Sequence, residues 1–291
     1  MTELSTGTRR AMPARAGRAG AAPVEERLAS RPRTRRRLGP GRSNVTALAV
    51  GPLLLLLIWT IGSAVGVISP ATLSAPWTVV STVGELAADG RLQSNLLTSV
   101  QRSLIALVIG VATGVVLALI SGLSRVGESL VDGPVQINRA VPTLALIPLA
   151  IVWFGIGEDM KIIMIALSVL VPVYINTHAA LRGVDARYVE LAESVGLSRA
   201  RFIRRVALPG ALPGFFTGLR LAVTICWTAL VVVEQVNATS GIGYLMTQAR
   251  QYGQTEIIVV GLVLYAVLGL ASDTAVRLAE RRALSWRRTL G

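Results

Sequence analysis

The chain has 291 residues, of which 52% are hydrophobic and only 15% are charged. Several apolar runs reach the roughly 20 residues that a helix needs to cross a bilayer core of about 30 Å, which excludes a soluble globular protein. The formal charge is +13, but the basic stretch "RPRTRRRLGPGRS" has no interleaved aromatic residues, so we expect no nucleic-acid partner.

Residues 1–44 precede the first apolar run and contain eleven arginines and three glutamates. They show no helical or strand periodicity, and we predict a disordered arginine-rich leader. No short apolar core followed by a small-residue cleavage site is present, so a removable signal peptide is not expected. The first apolar run should therefore remain in the protein as a helix.

The apolar runs are too long and too continuous for the alternating pattern of a membrane barrel strand. We therefore predict an all-α, polytopic membrane protein with six transmembrane helices. The predicted spans are Val45–Ile68, Leu104–Leu123, Ala140–Ile156, Ile162–Leu181, Gly214–Val236 and Glu256–Val276.

Two of these spans carry further signals. In the second, Gly110 and Gly114 have the spacing that lets two helix backbones approach closely in lipid. The third is interrupted by Pro142 and Pro148, and such interruptions mark either a transport pathway or a simple kink. Between the first two spans, residues 76–88 have apolar side chains at helical spacing and predict an amphipathic helix on the outer surface.

The distribution of arginine predicts how the chain is oriented in the membrane. Arginines concentrate in residues 1–44, in the loop 188–213 and in the tail 277–291, whereas the other loops are near neutral. Arginine-rich segments stay in the cytoplasm, so we expect both termini and this loop on the cytoplasmic side.

The loop between the fourth and fifth spans, "YVELAESVGLSRARFIRRVALPGALPG", is predicted to form two short amphipathic helices. Gly196 should bend the chain between them, Ser198 can cap the second, and Pro209 should end it. Such a surface is suited either to docking a partner or to contacting anionic lipid headgroups, and composition alone leaves both open.

The spacing within this loop resembles the EAA loop of permease subunits of ABC importers. The matching positions are Glu190, Ala192, Gly196, Leu208 and Pro209, with conservative departures at Leu191 and Val206. From Leu92 onward, "VYINTHAALRGVD" and "NATSGIGYLMTQARQ" look similar to the branch that imports aliphatic sulfonates, taurine, nitrate and related solutes.

The resemblance implies a type I ABC importer permease fold in a bacterial cytoplasmic membrane. Residues 45–91 would form the first helix and an outer segment, residues 92–276 the transmembrane core, and residues 277–291 a basic tail. The partners it implies are two ATP-binding subunits docked on residues 188–213, a second permease copy, most simply as a homodimer, and an extracytoplasmic solute-binding protein.

We expect no catalytic site and no bound cofactor in this chain. The only lysine, Lys161, is followed by isoleucine and lacks the glycine pattern of a phosphate-binding loop, so ATP and Mg²⁺ would belong to the partner ATPase. A lone histidine cannot form a metal site, and Cys226 is expected to be a buried small apolar residue. Polar residues within spans are candidates for the translocation path: Asn176, His178, Arg220, Glu234 and Gln235.

Two other functions remain open from the residues. An ion-coupled secondary transporter would need intramembrane acids, of which Glu234 is nearly the only one. A membrane scaffold would use the loop for docking without transporting anything.

Overall fold

The computed structural model of this protein describes residues 45–286, so the predicted leader and the last five residues lie outside the described part. The chain divides into two units, residues 1–53 and 54–291. Of the first unit, only the beginning of one helix is described. All contacts reported below lie within the second unit.

The described residues are helical apart from short connections and contain no strand, which confirms the all-α prediction for this part of the chain. In chain order the helices are α1 (Val45–Ala64), α2 (Pro76–Ala88), α3 (Arg91–Leu123), α4 (Arg125–Ala140), α5 (Ile147–Phe154), α6 (Glu158–Arg182), α7 (Ala186–Ser194), α8 (Arg199–Phe202), α9 (Leu208–Asn237), α10 (Ile242–Gln251) and α11 (Thr255–Ala283). Four helical stretches among the described residues are long and apolar enough to cross a membrane: α3, α6, α8 with α9, and α11.

Helix α6 lies between α3 and α9, and glycines make both contacts close. A Cβ atom on Gly110 of α3 would lie 2.7 Å from the Ala166 carbonyl oxygen, and one on Gly218 of α9 would lie 2.8 Å from that of Pro172. The close packing predicted from Gly110 and Gly114 is thereby confirmed. Because lipid supplies no hydrophobic drive between helices, such contacts are a main source of helix association.

The glycine contacts also give the helix directions. Gly110 faces Ala166 and Gly122 faces Leu181, so α3 and α6 run parallel. Gly214 faces Ala180 and Gly218 faces Pro172, so α9 runs antiparallel to them. The bundle therefore has one end where α3 and α6 begin and another where they end.

The third predicted span, 140–156, is wrong as a single helix. Residues 125–154 lead from the end of α3 to the beginning of α6, and they form α4, a 3₁₀ turn over Thr143–Leu146, and the eight-residue α5. Pro142 and Pro148 lack the backbone N–H of a continuous helix, and the chain breaks between them. This stretch also begins earlier than predicted, at Arg125. The sequence did not indicate the earlier start, because α4 is amphipathic and too polar to be recognised from apolar length.

The predicted amphipathic helix before α3 is present as α2. Its Val79 and Leu86 are buried in a small core with Leu245 of α10 and Val260 of α11, whereas Val80 is exposed. Burial of apolar surface thus fastens α2 to the end of the bundle where α3 begins.

Candidate functional site

The segment that follows α6, which we call the coupling segment (residues 186–209), begins with α7, and α7 ends in a glycine bend. The Asp185 carboxylate caps α7 by accepting from the Arg187 N–H at 3.0 Å. At the other end, the N–H of Leu197 donates to the Ala192 carbonyl at 2.8 Å and that of Gly196 to Glu193 at 3.0 Å. This is a Schellman cap, and Gly196 has the φ of +66° that it requires.

Helix α7 exposes an apolar stripe. Tyr188, Leu191 and Val195 lie on it at helical spacing, with 57%, 60% and 67% of their surfaces accessible. Glu190 is exposed, and Ala192, which lies one turn from Tyr188 and borders the stripe, is buried. The apolar residues of α7 are therefore divided, since Ala192 packs inward while Leu191 and Val195 face outward.

The second short helix does not end at Pro209 as predicted. α8 continues through a π turn, Ile203–Ala207, directly into α9. Pro209 is the second residue of α9, directly after the π turn, and it does not end the helix. Ser198 holds the N-cap position of α8, but its hydroxyl makes no capping bond.

A cavity of about 510 Å³ lies between the coupling segment and the ends of α3 and α6. Leu123, Leu181, Ala192 and Phe202 are among its mainly apolar lining residues. At its edge, Arg199 donates to the Leu123 carbonyl at 2.8 Å. The coupling segment is thus attached to the bundle with unfilled space beneath it.

At the opposite end of the bundle, four charged side chains, three of them buried and one half-exposed, join α3, α6 and α9. We call Arg102, Glu158, Lys161 and Glu234 the charge network. The Arg102 guanidinium binds both Glu158 oxygens, at 2.7 and 2.8 Å, and also pairs with Glu234. Lys161 donates to Glu158 at 2.8 Å. Two cations meet two anions, so the network carries no net charge.

Glu234 has hydrogen-bond donors around its whole carboxylate. It accepts from the Ser99 hydroxyl at 2.8 Å, the Tyr265 hydroxyl at 3.0 Å and the Gly243 N–H at 2.8 Å. A Cβ atom on Gly241, which has φ +115°, would lie 2.5 Å from a Glu234 oxygen. A buried carboxylate needs this degree of satisfaction, because desolvation of an ion is costly. The network therefore joins the ends of α3, α6, α9, α10 and α11.

Sequence reasoning recognised only Glu234 of these four residues as a candidate. Arg102, Glu158 and Lys161 lie just before the predicted starts of the second and fourth spans, and none of them was a predicted site residue. The helices extend further than their apolar runs, to Arg91 and to Glu158. The sequence signal that could have indicated these three residues is that single charged residues lie at the margins of two predicted spans.

The five candidate path residues do not meet in one place. Asn176 donates to the Pro172 carbonyl at 2.8 Å, and the His178 ring stacks on Tyr174 with centroids 5.4 Å apart. Arg220 pairs with Asp273 of α11 at 3.3 Å. Glu234 belongs to the charge network, and the adjacent Gln235 is half-buried.

Cys226 is buried, as predicted, and its thiol donates to the Ser103 carbonyl at 3.5 Å. Between residues 45 and 286 no group of histidine, cysteine or acidic side chains could hold a metal ion.

Comparison with known proteins identifies the family. Residues 110–285 match the model of the binding-protein-dependent transport system inner membrane component family. The "Putative aliphatic sulfonates transport permease protein SsuC" of Escherichia coli is 46% identical over 235 residues, covering 81% of this chain and 89% of that protein. The taurine transport system permease protein TauC of the same organism is 32% identical, covering 84% and 91%.

The fold is also found among solved structures. The crystal structure of an amino acid ABC transporter matches with a TM-score of 0.58 and 20% identity, covering 69% of this chain and 97% of that one. At this identity the likeness concerns the fold alone. With the family match and the apolar helices, it shows that this chain is a multi-pass membrane protein and an ABC importer permease of the binding-protein-dependent transport system inner membrane component family.

Proposed function

We propose that this permease carries aliphatic sulfonates across the bacterial cytoplasmic membrane, driven by ATP hydrolysis on separate ATP-binding subunits. The observation that carries the proposal is the 46% identity to the Escherichia coli SsuC protein over 81% of this chain. The SsuC protein of Bacillus subtilis, 39% identical, supports it. Taurine, itself a sulfonate, is the second candidate, because the TauC protein is 32% identical.

In this proposal, the two ATP-binding subunits of the importer dock on the coupling segments of the two permease copies. Its exposed apolar stripe, Tyr188, Leu191 and Val195, is suited to a groove on a partner. Glu190 and Gly196 match the EAA pattern, as do Ala192, Leu208 and Pro209 on the side facing the bundle. The exposed arginines of α8 support a cytoplasmic position for this end.

The continuity of α8 with α9 suggests how closure of the ATPase reaches the membrane. A push on the coupling segment would be transmitted along α9, since no flexible loop separates them. The other end of α9 carries Glu234 of the charge network. Alternating access would then be a two-state shift of the bundle, biased from the coupling segment.

ATP and Mg²⁺ are assigned to the partner subunits. Lys161, the only lysine, pairs with Glu158, and its flanking residues lack the phosphate-loop pattern. A second copy of this chain and an extracytoplasmic solute-binding protein would complete the importer. Asn176, His178, Arg220, Glu234 and Gln235 remain candidates for the path.

The test is uptake into vesicles that contain this permease, its ATP-binding subunit and the solute-binding protein. We expect labelled ethanesulfonate to accumulate with ATP and not with a non-hydrolysable analogue, with taurine and nitrate as competing solutes. Accumulation under an ion gradient without ATP would instead establish a secondary transporter. Docking of the ATPase without uptake of any of these solutes would establish a scaffold.

A further inference from the structure

The break between α4 and α5 lies beside α6, part of the way along the bundle. Asn138, near the end of α4, donates to the Leu167 carbonyl of α6 at 3.3 Å, and Ser168 follows that residue. With a rise of about 1.5 Å per residue, Ser168 lies about 15 Å from the start of α6 and about 21 Å from its end. The break is therefore near the middle of a membrane-spanning helix.

A cavity of about 360 Å³ opens at this break. Its polar lining residues are Asn138, Arg139, Thr143, Ser168 and Thr228, and the rest of the lining is apolar. No carboxylate lines it. Broken helices at the bilayer midplane are where transporters place their solute sites, because backbone and side-chain polar groups are available there.

Arg139 is the basic residue of this cavity. It lies in the last turn of α4 and is exposed, and within residues 45–286 its guanidinium makes no ion pair and no hydrogen bond. An ionised side chain in a membrane interior is costly and normally serves a counter-ion or a transported ion. This contrasts with Arg102, which is fully paired.

The other hydrogen-bond donors determine which part of the cavity can hold an anion. The hydroxyls of Ser168 and Thr228 already donate to carbonyls one turn earlier, at 3.0 and 3.1 Å. One N–H of the Asn138 amide is used by Leu167. Arg139, the second N–H of Asn138 and the Thr143 hydroxyl are left to face a ligand. A guanidinium fork with neighbouring neutral donors matches the three oxygens of a sulfonate.

We propose that Arg139, with Asn138 and Thr143, forms an anion-binding subsite at the α4–α5 break that holds the sulfonate group of the solute during passage. This inference rests on the proposed function for the identity of the anion. The guanidinium binds the sulfonate oxygens, and the apolar lining accommodates the alkyl part. Because a sulfonate stays ionised at physiological pH, the subsite needs a fixed positive charge and no proton transfer.

The first test measures the charge of the cavity and needs no transport. In the complete complex, a thiol is introduced by Thr228→Cys in a Cys226→Ala background. It is then treated with an anionic methanethiosulfonate, the 2-sulfonatoethyl reagent, or with the cationic trimethylammonioethyl reagent. We expect Arg139→Gln to lower the ratio of anionic to cationic reaction rates by about tenfold or more, because the local charge is removed.

Matched variants separate charge from misfolding. Arg125→Gln neutralises an exposed arginine at the other end of α4 and should leave the ratio within about twofold. Arg139→Lys keeps the charge and should largely retain the ratio. An unchanged ratio in Arg139→Gln, or a thiol that neither reagent reaches, would overturn the proposal.

The second test is ATP-driven ethanesulfonate uptake by the same complexes. We expect Arg139→Gln to lower uptake by about tenfold or more while Arg125→Gln stays within about twofold. Normal uptake with Arg139→Gln overturns the subsite and leaves the proposed function intact. If the unmodified complex takes up no sulfonate while the thiol ratio still depends on Arg139, the sulfonate assignment fails and the anion site stands.

Discussion

The two ends of the bundle are built in opposite ways. At one end, the charge network pairs two buried cations with two anions, and Glu234 has a donor on every side. At the other end, the coupling segment exposes an apolar stripe and covers a cavity of about 510 Å³. The first end is complete within one chain, whereas the second leaves apolar surface for a partner to bury.

This contrast indicates where the chain can tolerate change. Disturbing the charge network should cost stability, because an unpaired charge would remain buried. Disturbing the coupling segment should cost little stability and much transport. The following variants are ordered by the expected loss of free energy of unfolding.

Glu234→Ala should have the largest effect. It leaves Arg102 partly unpaired in a site where only 1% of its side chain is exposed, and the expected loss is about 3–5 kcal/mol. Denaturation of the detergent-purified permease measures it. The double variant Arg102→Met/Glu234→Leu should lose less free energy of unfolding than Glu234→Ala, because neither of the two paired charges remains. A free energy of unfolding of Glu234→Ala within about 1 kcal/mol of wild type would refute the interpretation of a buried ion pair.

Gly110→Ala probes the close contact that lies between the two ends. The added methyl would lie 2.7 Å from Ala166 and Val169 of α6, and we expect a loss of about 1–3 kcal/mol. The matched control is Gly269→Ala on α11, where nothing lies within 4 Å and helix propensity predicts a small gain. Equal behaviour of the two variants in thermal unfolding would contradict close α3–α6 packing.

Gly196→Val tests the coupling segment itself. Valine resists the φ of +66°, which should cost about 1–2 kcal/mol locally, while no atom within 4 Å opposes its side chain. We expect correct membrane insertion but a strong loss of ATP-driven uptake. Gly90→Val is the control, since Gly90 has φ +71°, equally open space and a position at the charge-network end. If both variants transport equally well, the bend at Gly196 has no special part in coupling.

Glu190→Lys should have the smallest effect on folding. Glu190 is exposed and makes no hydrogen bond or ion pair with the described residues, so stability should change by less than about 0.5 kcal/mol. Copurification of the ATP-binding subunit should nevertheless decrease, because a charge on the docking surface is reversed. Glu85→Lys, equally exposed on α2, provides the comparison. Loss of the subunit from both variants would indicate a general charge effect.

Local signals in the sequence predicted much of this fold. Apolar length predicted α3, α6, α9 and α11, because a bilayer of nearly constant thickness demands it. The spacing of Gly110 and Gly114 predicted close packing, and Gly196 predicted the bend after α7. Each of these depends on residues close together in the chain.

Other features could not be predicted from the sequence, because they depend on which helix ends meet in the folded chain. Arg102 and Glu158 are 56 residues apart, and nothing local shows that they form a bidentate pair. α4 was not predicted as part of the third crossing, because its polar residues interrupt the apolar length by which a spanning helix is recognised. Arg139 was not considered, since only the break after α4 places it beside Thr228 of α9.

The sequence by itself determined that the chain is helical and membrane-embedded and that it carries a loop with the spacing of a coupling element. These properties follow from hydropathy, periodicity and short-range turn chemistry. Tertiary structure decided which charges are paired and which are free. Glu234 and Arg102 satisfy each other because α9 runs antiparallel beside α3. Arg139 has no ion pair among the described residues because the α4–α5 break opens a cavity without a carboxylate.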